Sequence, residues 1–199
     1  MLPKIDHNSK NIWEFAVNSM YNWTKRDIPY FGGVDEMSLA FLIVDMQKIH
    51  LHNQVEQRMV DHACEYINYV ADLLRSHNHL VIHIQDIEGR EESNQQEYEF
   101  IPDIRMQESD LTVTKEYSNA FWQTDLEQIL LDHHVELIII AGLAAEHCVL
   151  FTYNGATERG FRPVLLQNGI LSTHSDIITS TYRDRNLISY PAIKYMVDQ

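Results

Sequence analysis

The chain has 199 residues, of which 45% are hydrophobic and 22% charged, values typical of one globular domain with a sizeable core. Its 15 Lys and Arg against 29 Asp and Glu give a formal net charge of −14. Because nucleic acids and anionic membranes repel an acidic surface, we expect neither as a partner. No apolar run is long enough to cross a bilayer and none resembles a secretory signal, so we expect a cytoplasmic protein.

Residues 1–38 precede the first strand-like run. Apolar side chains at helical spacing predict a helix over residues 10–24. We interpret residues 1–38 as an extension that packs on the domain or on another subunit. A cover over the active site is the alternative interpretation.

Residues 39–199 alternate short apolar runs with amphipathic stretches. The runs predict strands over residues 40–44, 80–84, 111–114, 137–141 and 164–166, and the amphipathic stretches predict helices over residues 55–76, 122–133 and 146–159. Continuous apolar runs are typical of strands buried on both faces of a parallel sheet. The pattern therefore predicts an α/β, doubly wound domain of three layers, with a mostly parallel sheet between helices.

A long acidic segment, residues 86–110, follows the second predicted strand. It carries nine acidic residues against two arginines. Structureless segments of this length in a compact domain are usually functional, and this one begins at the sheet edge where ligands bind in open α/β folds.

Three chemically complementary side chains follow strands of the predicted sheet. Asp45 comes after the first strand and Lys115 after the third, while the fourth runs through a turn of small residues into a helix that carries Cys148. Since the carboxyl ends of parallel strands share one edge, we expect these groups to converge. Each alone has an ordinary structural explanation, as a turn residue, a solvated lysine or a core thiol.

Together the three residues would suit nucleophilic catalysis. A thiol needs a lowered pKa or a neighbouring proton acceptor to attack. Asp45 could accept that proton, Lys115 could keep Asp45 ionised, and the helix start favours an anion at Cys148. Backbone N–H groups of the turn at residues 142–145 could bind an oxyanion.

Two motifs make the sequence resemble a known family. Leu-Ile-Val-Asp-Met-Gln at residues 42–47 and Ile-Ala-Gly-Leu-Ala-Ala-Glu-His-Cys-Val at residues 140–149, with Lys115 between them, resemble the cysteine hydrolases of the isochorismatase-like superfamily. That group includes nicotinamidases and the carbamoylsarcosine and ureidoacrylate amidohydrolases. The resemblance spans about residues 39–185, and its most specific part is the segment that ends in Cys148 and Val149.

The resemblance implies a six-stranded parallel sheet and a homodimer or larger homo-oligomer. It implies Cys148 as nucleophile, Asp45 as general base and then acid, and Lys115 as their electrostatic partner. It also implies a cis peptide at Leu143–Ala144, with the backbone N–H groups of Ala144 and Cys148 forming the oxyanion hole. The implied reaction forms a thioester on Cys148, which water then hydrolyses.

Departures from the family pattern bear on metal and substrate. Nicotinamidases carry an Asp-x-His metal motif, whereas this chain reads Asp86-Ile87-Glu88 and has no histidine between residues 85 and 132. We therefore expect no metal and no cofactor. Gln167-Asn168-Gly169 replaces a common Asp-Ala pair after the fifth strand. The expected pocket residues are Gln47, Tyr117, Phe121 and Trp122, and His147 is expected to face away from Cys148.

Three functions follow, in order of preference. The first is a metal-independent cysteine hydrolase that cleaves a small-molecule amide or related C–N bond. The second is a catalytically silent member of the fold that binds a small molecule or regulates, suggested by Gln167 and Asn168 and by the acidic segment. The third is a metal-assisted hydrolase that uses Asp86, Glu88 and a distant histidine.

Overall fold

The computed structural model describes residues 37–199. The helix predicted over residues 10–24 lies outside the described residues, as does nearly all of the 1–38 extension. The two interpretations of that extension stay predictions.

One sheet of six parallel strands forms the centre of the fold, in the order β3-β2-β1-β4-β5-β6. The strands are β1 Leu39–Val44, β2 Leu80–Asp86, β3 Leu111–Lys115, β4 Leu137–Gly142, β5 Arg162–Ile170 and β6 Leu187–Ile188. The first five confirm the five apolar runs, each extended by one to six residues. β6 has only two residues, too few for a recognisable run.

Helices flank the sheet and differ from the predictions mainly at their first residues. They are α1 Lys48–Leu51, α2 Gln57–Ser76, α3 Leu126–Asp132, α4 Cys148–Glu158, α5 Ser175–Asp184 and α6 Tyr190–Val197, with a 3₁₀ turn at Gln95–Tyr98. α3 begins four residues later than predicted because the chain forms turns before it, with Gln123 at a φ of 57°. α4 begins at Cys148 because residues 143–147 form the turn that leaves β4.

Two apolar cores lie on opposite faces of the sheet and account for the continuous apolar strands. Phe41 and Ile43 of β1 pack in the core that contains the apolar side of α2. Leu42 and Val44 pack in the core that contains α3 and α4. Both faces of β1 are therefore buried, and the predicted three-layer α/β arrangement is confirmed.

A bulge in β5 accommodates the unusual Gln167-Asn168-Gly169 segment. Ile140 pairs with Leu165 and Gly142 pairs with Ile170, so several β5 residues stand opposite one residue of β4. Asn168 has a φ of 64°, and its N–H donates to the Tyr182 hydroxyl at 2.6 Å. This hydrogen bond links the bulge of β5 to α5.

The strand order places a topological switch at β1. β2 and β4 lie on either side of β1, and the connections from them run to opposite edges of the sheet. A crevice therefore opens at the carboxyl end of β1, which is where open α/β sheets bind ligands. No helix within residues 37–199 is both long enough and apolar enough to span a membrane.

Candidate active site

Asp45, Lys115 and Cys148 meet at the carboxyl edge of the sheet. Asp45 directly follows β1, Lys115 ends β3 and Cys148 begins α4. Lys115 Nζ lies 2.9 Å from Asp45 Oδ2 and 3.5 Å from Cys148 Sγ, and a carboxylate oxygen of Asp45 lies within 4.8 Å of that sulfur. Asp45 and Lys115 are each 2% exposed, while Cys148 is half-buried. The structure thus brings together the three side chains singled out in the sequence.

Asp86 is a fourth member of this cluster. It ends β2, between the strands that carry Asp45 and Lys115, and its Oδ2 lies 3.1 Å from Lys115 Nζ. Gln47 holds the Asp86 backbone: the amide Nε2 donates to the Asp86 carbonyl at 2.9 Å, and Oε1 accepts from its N–H at 2.8 Å. The Lys115 ammonium therefore contacts two carboxylates and a thiol.

The ligand-type side chains around the thiol already contact an ammonium group. Asp45, Asp86 and Cys148 form the one group of three ligand-type side chains within residues 37–199 whose ligand atoms lie within 4.8 Å of one another. The Lys115 ammonium already contacts all three. A divalent cation at the same point would be repelled by that charge at close range.

Burial and neighbouring charges set the protonation of the cluster. Burial, and next the charge of Asp45, raises the pKa of the Cys148 thiol to about 12, which Lys115 offsets only in part. Burial likewise raises the pKa of Asp45 against the opposing effect of Lys115. Burial acts to lower the pKa of Lys115, but Asp45, Cys148 and Asp86 outweigh it and that pKa is raised. At neutral pH Lys115 is therefore charged and Cys148 is a protonated thiol with a carboxyl group beside it.

The turn between β4 and α4 brings backbone N–H groups to the thiol. Gly142 has a φ of 107°, and a Cβ there would lie 2.0 Å from the Val44 carbonyl oxygen, so only glycine lets the ends of β1 and β4 approach this closely. The peptide Leu143–Ala144 is cis, as the resemblance implied. Within residues 37–199, the N–H groups of Ala144 and Cys148 have no hydrogen-bond acceptor. They are available to a ligand oxygen.

A cavity of about 370 Å³ opens beside Cys148. Besides Asp45, Ala144 and Cys148, its described wall consists of His50, Gln54, Leu143, Glu146, His147, Thr173, His174 and Ile177. Glu146 Oε1 accepts from the Ser172 hydroxyl at 2.9 Å, while Glu146 Oε2 is buried and has no partner within residues 37–199. His50 Nε2 lies 3.9 Å from Asp86 Oδ2 and also lacks a hydrogen-bond partner in the described chain.

None of the four side chains expected in the pocket lies on this wall. Gln47 is fully buried, where it fixes the end of β2. Phe121 is 4% exposed and stacks on Phe161, with ring centroids 5.9 Å apart, in the core that also contains α3 and α4. Tyr117 and Trp122 are exposed, at 46% and 52%.

Several of the wall residues that sequence reasoning missed come from segments without a motif. His50 and Gln54 lie in and after α1, and Thr173, His174 and Ile177 follow β5. Glu146 and His147 belong to the sequence motif that ends in Cys148 and Val149. Their place in the turn before Cys148 could have identified them as residues of the cavity wall. His147 was expected to face away from Cys148, yet it lines the same cavity; it precedes the first helical residue of α4, so helical facing rules do not apply to it.

The amino-acid sequence is similar to a known protein family and to several of its members. The model of the isochorismatase domain matches residues 39–181. Over 78 residues the chain is 35% identical to an uncharacterised isochorismatase family protein of Bacillus subtilis, YwoC, a stretch that covers 39% of this chain and 41% of the relative. Over 77 residues it is 26% identical to maleamate amidohydrolase of Pseudomonas putida, covering 39% and 36%. These matches span less than half the length of either relative.

Solved structures share the fold. N-carbamoylsarcosine amidase from Thermoplasma acidophilum superposes with a TM-score of 0.64 at 19% identity, over 74% of this chain and 92% of that one. Pyrazinamidase of Pyrococcus horikoshii, solved in complex with zinc, has a TM-score of 0.67 at 21% identity, over 77% and 99%. At such identities the likeness concerns the fold alone.

Proposed function

Because the chain belongs to the isochorismatase family, we propose that it is a cysteine hydrolase that cleaves an amide or related C–N bond of a small molecule. The observation that carries the proposal is the contact of Cys148 Sγ with the Lys115 ammonium, with an Asp45 carboxylate oxygen within 4.8 Å of the same sulfur, at a cavity wall. A relative named as an amidohydrolase supports the bond type.

In the first step, Cys148 Sγ attacks the carbonyl carbon while Asp45 accepts the thiol proton. Asp45 suits this role because its carboxylate lies beside a thiol whose pKa of about 12 keeps the proton on sulfur until attack. Lys115 stays charged and offsets the negative charge that develops. The Ala144 and Cys148 N–H groups bind the oxyanion, and one such donor typically lowers a barrier by about 3 kcal/mol.

In the second step, the tetrahedral intermediate collapses and the C–N bond breaks. Asp45 gives its proton to the leaving nitrogen, so ammonia or an amine departs and a thioester remains on Cys148. Asp45 then accepts a proton from a water molecule that attacks the thioester. The thiolate leaves, recovers the proton from Asp45, and the carboxylic acid is released.

The proposed reaction is metal-independent. In this mechanism the Lys115 ammonium supplies the positive charge that a metal could otherwise provide. It contacts Asp45, Asp86 and the Cys148 thiol, which are the side chains that could hold a metal there. We therefore expect full activity after dialysis against a chelator. Activity that disappears with chelator and returns with zinc would support the metal-assisted alternative instead.

The decisive test compares two cysteine variants. We expect Cys148→Ala to lose more than about 10³-fold of amide hydrolysis, measured as ammonia release, because the nucleophile is gone. Cys64→Ala is the matched control: Cys64 is a buried core thiol in α2, so its loss should leave the turnover number unchanged. Rapid quenching with mass spectrometry should find the acyl group on Cys148 of the wild-type protein.

Hydrolysis that persists in Cys148→Ala would overturn the proposal. If a broad panel of amides yields neither hydrolysis nor acylated Cys148, the silent binding or regulatory member of the fold becomes the better explanation. The raised pKa of Cys148 is the observation in favour of that second function.

A further inference from the structure

The cavity beside Cys148 contains more negative than positive charge. Asp45 and Glu146 lie on its wall, and Asp86 shares the Lys115 ammonium with Asp45. The described wall includes no lysine or arginine. With Asp45 ionised, as the proposed first step requires, three carboxylates stand against one ammonium, and the thiol is protonated.

Glu146 is the uncompensated member of this set. Its Oε1 accepts a hydrogen bond from the neutral Ser172 hydroxyl, and its buried Oε2 accepts none within residues 37–199. Asp45 and Asp86, by contrast, each lie within 3.1 Å of the Lys115 ammonium. In the described chain no lysine, arginine or histidine forms an ion pair with Glu146.

The charge of the whole chain acts in the same direction. The net charge is −14, and the 86–110 segment, which begins at the same sheet edge, has nine acidic residues and two arginines. Such a field lowers the local concentration of anions and raises that of cations before any contact forms. A carboxylate that did enter would lose its hydration without gaining a cationic partner from the described wall.

From these charges, and resting on the proposed function, we propose that the cavity selects amides whose non-reacting part is neutral or positively charged and excludes those that carry a carboxylate. Glu146 is the specificity-determining residue. The charge of its carboxylate would attract a substrate ammonium in the cavity and repel a substrate carboxylate.

The first test measures the charge at Cys148 and needs no substrate. Three methanethiosulfonate reagents of similar size carry an ethylammonium, a methyl or an ethylsulfonate group, and each forms a mixed disulfide with the thiol as methanesulfinate leaves. Rates at Cys148 are read by peptide mass spectrometry at pH 8, where an ordinary imidazole is neutral, and are divided by the rates for 2-mercaptoethanol. We expect the anionic reagent to be slower than the cationic one by about 30-fold or more after this normalisation.

Two Glu→Gln variants, one just before α4 and one at its last residue, test whether the charge preference comes from Glu146. Glu146→Gln keeps an acceptor for Ser172 and removes the charge, so the normalised anion-to-cation ratio should rise about tenfold. Glu158→Gln makes the same charge change at the exposed far end of α4, about 15 Å from Cys148 by helical rise, and should change the ratio less than twofold. Because a ratio is compared, a general loss of stability in either variant does not imitate the result.

A matched amide panel then separates this inference from the proposed function. Butanamide, succinamate and 3-aminopropanamide share a primary amide and differ in charge. We expect succinamate to have the lowest kcat/KM, and Glu146→Gln to raise it relative to 3-aminopropanamide.

Reagent selectivity without hydrolysis of any amide would contradict the proposed function and leave the charge selection standing. Equal or faster reaction of the anionic reagent, a preference for succinamate, or no reaction of Cys148 with even the neutral reagent would overturn the inference.

Discussion

At the scale of single residues, Lys115 is the side chain on which the cluster depends. Its ammonium is fully buried and lies 2.9 Å from Asp45 and 3.1 Å from Asp86. Either carboxylate alone would be costly to bury, and together they would repel each other. The lysine therefore serves stability as well as the proposed chemistry.

Replacement of Lys115 by methionine should destabilise the folded protein far more than replacement of an exposed lysine. The change leaves Asp45 and Asp86 buried without a cation, so the free energy of unfolding should fall by about 3–5 kcal/mol at pH 7.5, with loss of amide hydrolysis. Urea unfolding measures this. Lys194→Met, which removes an exposed partner of Asp198, is the control and should leave the urea midpoint unchanged. Equal midpoints for the two variants would contradict the role given to Lys115.

The pKa shifts of Asp45 and Cys148 predict the pH dependence of hydrolysis. Since the pKa of Asp45 is raised above 3.8, kcat/KM for an uncharged amide should rise with pH as this carboxyl group ionises, above the ordinary carboxylate range. Because the thiol keeps its proton to about pH 12, no second rise should occur between pH 8 and 10. A steady-state profile from pH 4 to 10 checks both expectations. A rise near pH 9 would mean that a free thiolate, rather than the Asp45–thiol pair, is the reactive form.

The sequence predicted that these three side chains converge and missed most of their surroundings, for a physical reason. Asp45, Lys115 and Cys148 stand directly at strand or helix ends, so the fold class alone brings them near one another. Asp86 also ends a strand, but its sequence context suggested only a metal ligand. Which carboxylate shares the ammonium depends on strand register, here Asp86 opposite Lys115, and no sequence pattern specifies that pairing.

At the scale of elements, the approach of β1 to the turn after β4 shapes the site. The Leu143 N–H donates to the Val44 carbonyl at 3.0 Å, and the Ala145 N–H donates to the Leu171 carbonyl at 2.8 Å. The turn is thus fixed to the ends of β1 and β5 at once. Its position sets where Ala144 and Cys148 present their N–H groups.

Gly142→Ala should disrupt this junction, whereas Gly160→Ala should not. Both glycines have positive φ, 107° and 84°, but a Cβ at Gly142 would lie 2.0 Å from the Val44 oxygen and a Cβ at Gly160 would meet nothing within 4 Å. We expect Gly160→Ala to cost only the left-handed penalty of about 1–2 kcal/mol. Gly142→Ala should cost more than that and should also reduce hydrolysis. Urea unfolding and ammonia release on both variants measure the difference, and equal costs would show that the junction tolerates a side chain.

Long buried elements were predictable, whereas short ones and the cavity wall were not. β1, β2, β4 and α2 have continuous or helical apolar patterns that follow from burial on the two faces of the sheet. α1 has four residues and β6 two, so neither has a full period to recognise. Phe121, one of the aromatic residues expected in the pocket, lies in the core instead and stacks on Phe161.

At the scale of the whole molecule, a buried charged cluster ties the acidic segment to the domain. Asp110 ends that segment and accepts hydrogen bonds from Arg75 of α2 at 2.8 and 2.7 Å, and its Oδ2 lies 3.0 Å from His83 Nε2 of β2. Phe100, from the middle of the segment, packs edge-on against the His83 ring with centroids 5.5 Å apart. The cluster therefore joins a helix, a strand and the 86–110 segment in one network.

This network makes the stability of the molecule depend on pH. Burial lowers the pKa of His83, although the hydrogen bond and charge of Asp110 oppose it, and Arg75 adds to the lowering. The folded protein therefore keeps His83 neutral at a pH where the unfolded chain, with an ordinary histidine pKa near 6.5, takes up a proton. Stability from this residue is complete above about pH 6.5 and is lost as the pH falls toward the folded value.

His83→Gln isolates that contribution from the rest of the acidic chain. Lowering the pH also relieves the repulsion that comes with a net charge of −14, which stabilises the fold, so the wild-type curve alone mixes opposing effects. The two proteins share everything except His83, so the stability advantage of the wild type should shrink between pH 7.5 and 5, by at most about 1.4 kcal/mol per pH unit. His62→Gln, which removes an exposed histidine of the same helix α2 that carries Arg75, is the control variant. Urea unfolding at half-unit steps measures all three. A constant difference between wild type and His83→Gln would mean that His83 takes up its proton equally in the folded and unfolded states, and that the buried cluster does not make stability sensitive to pH.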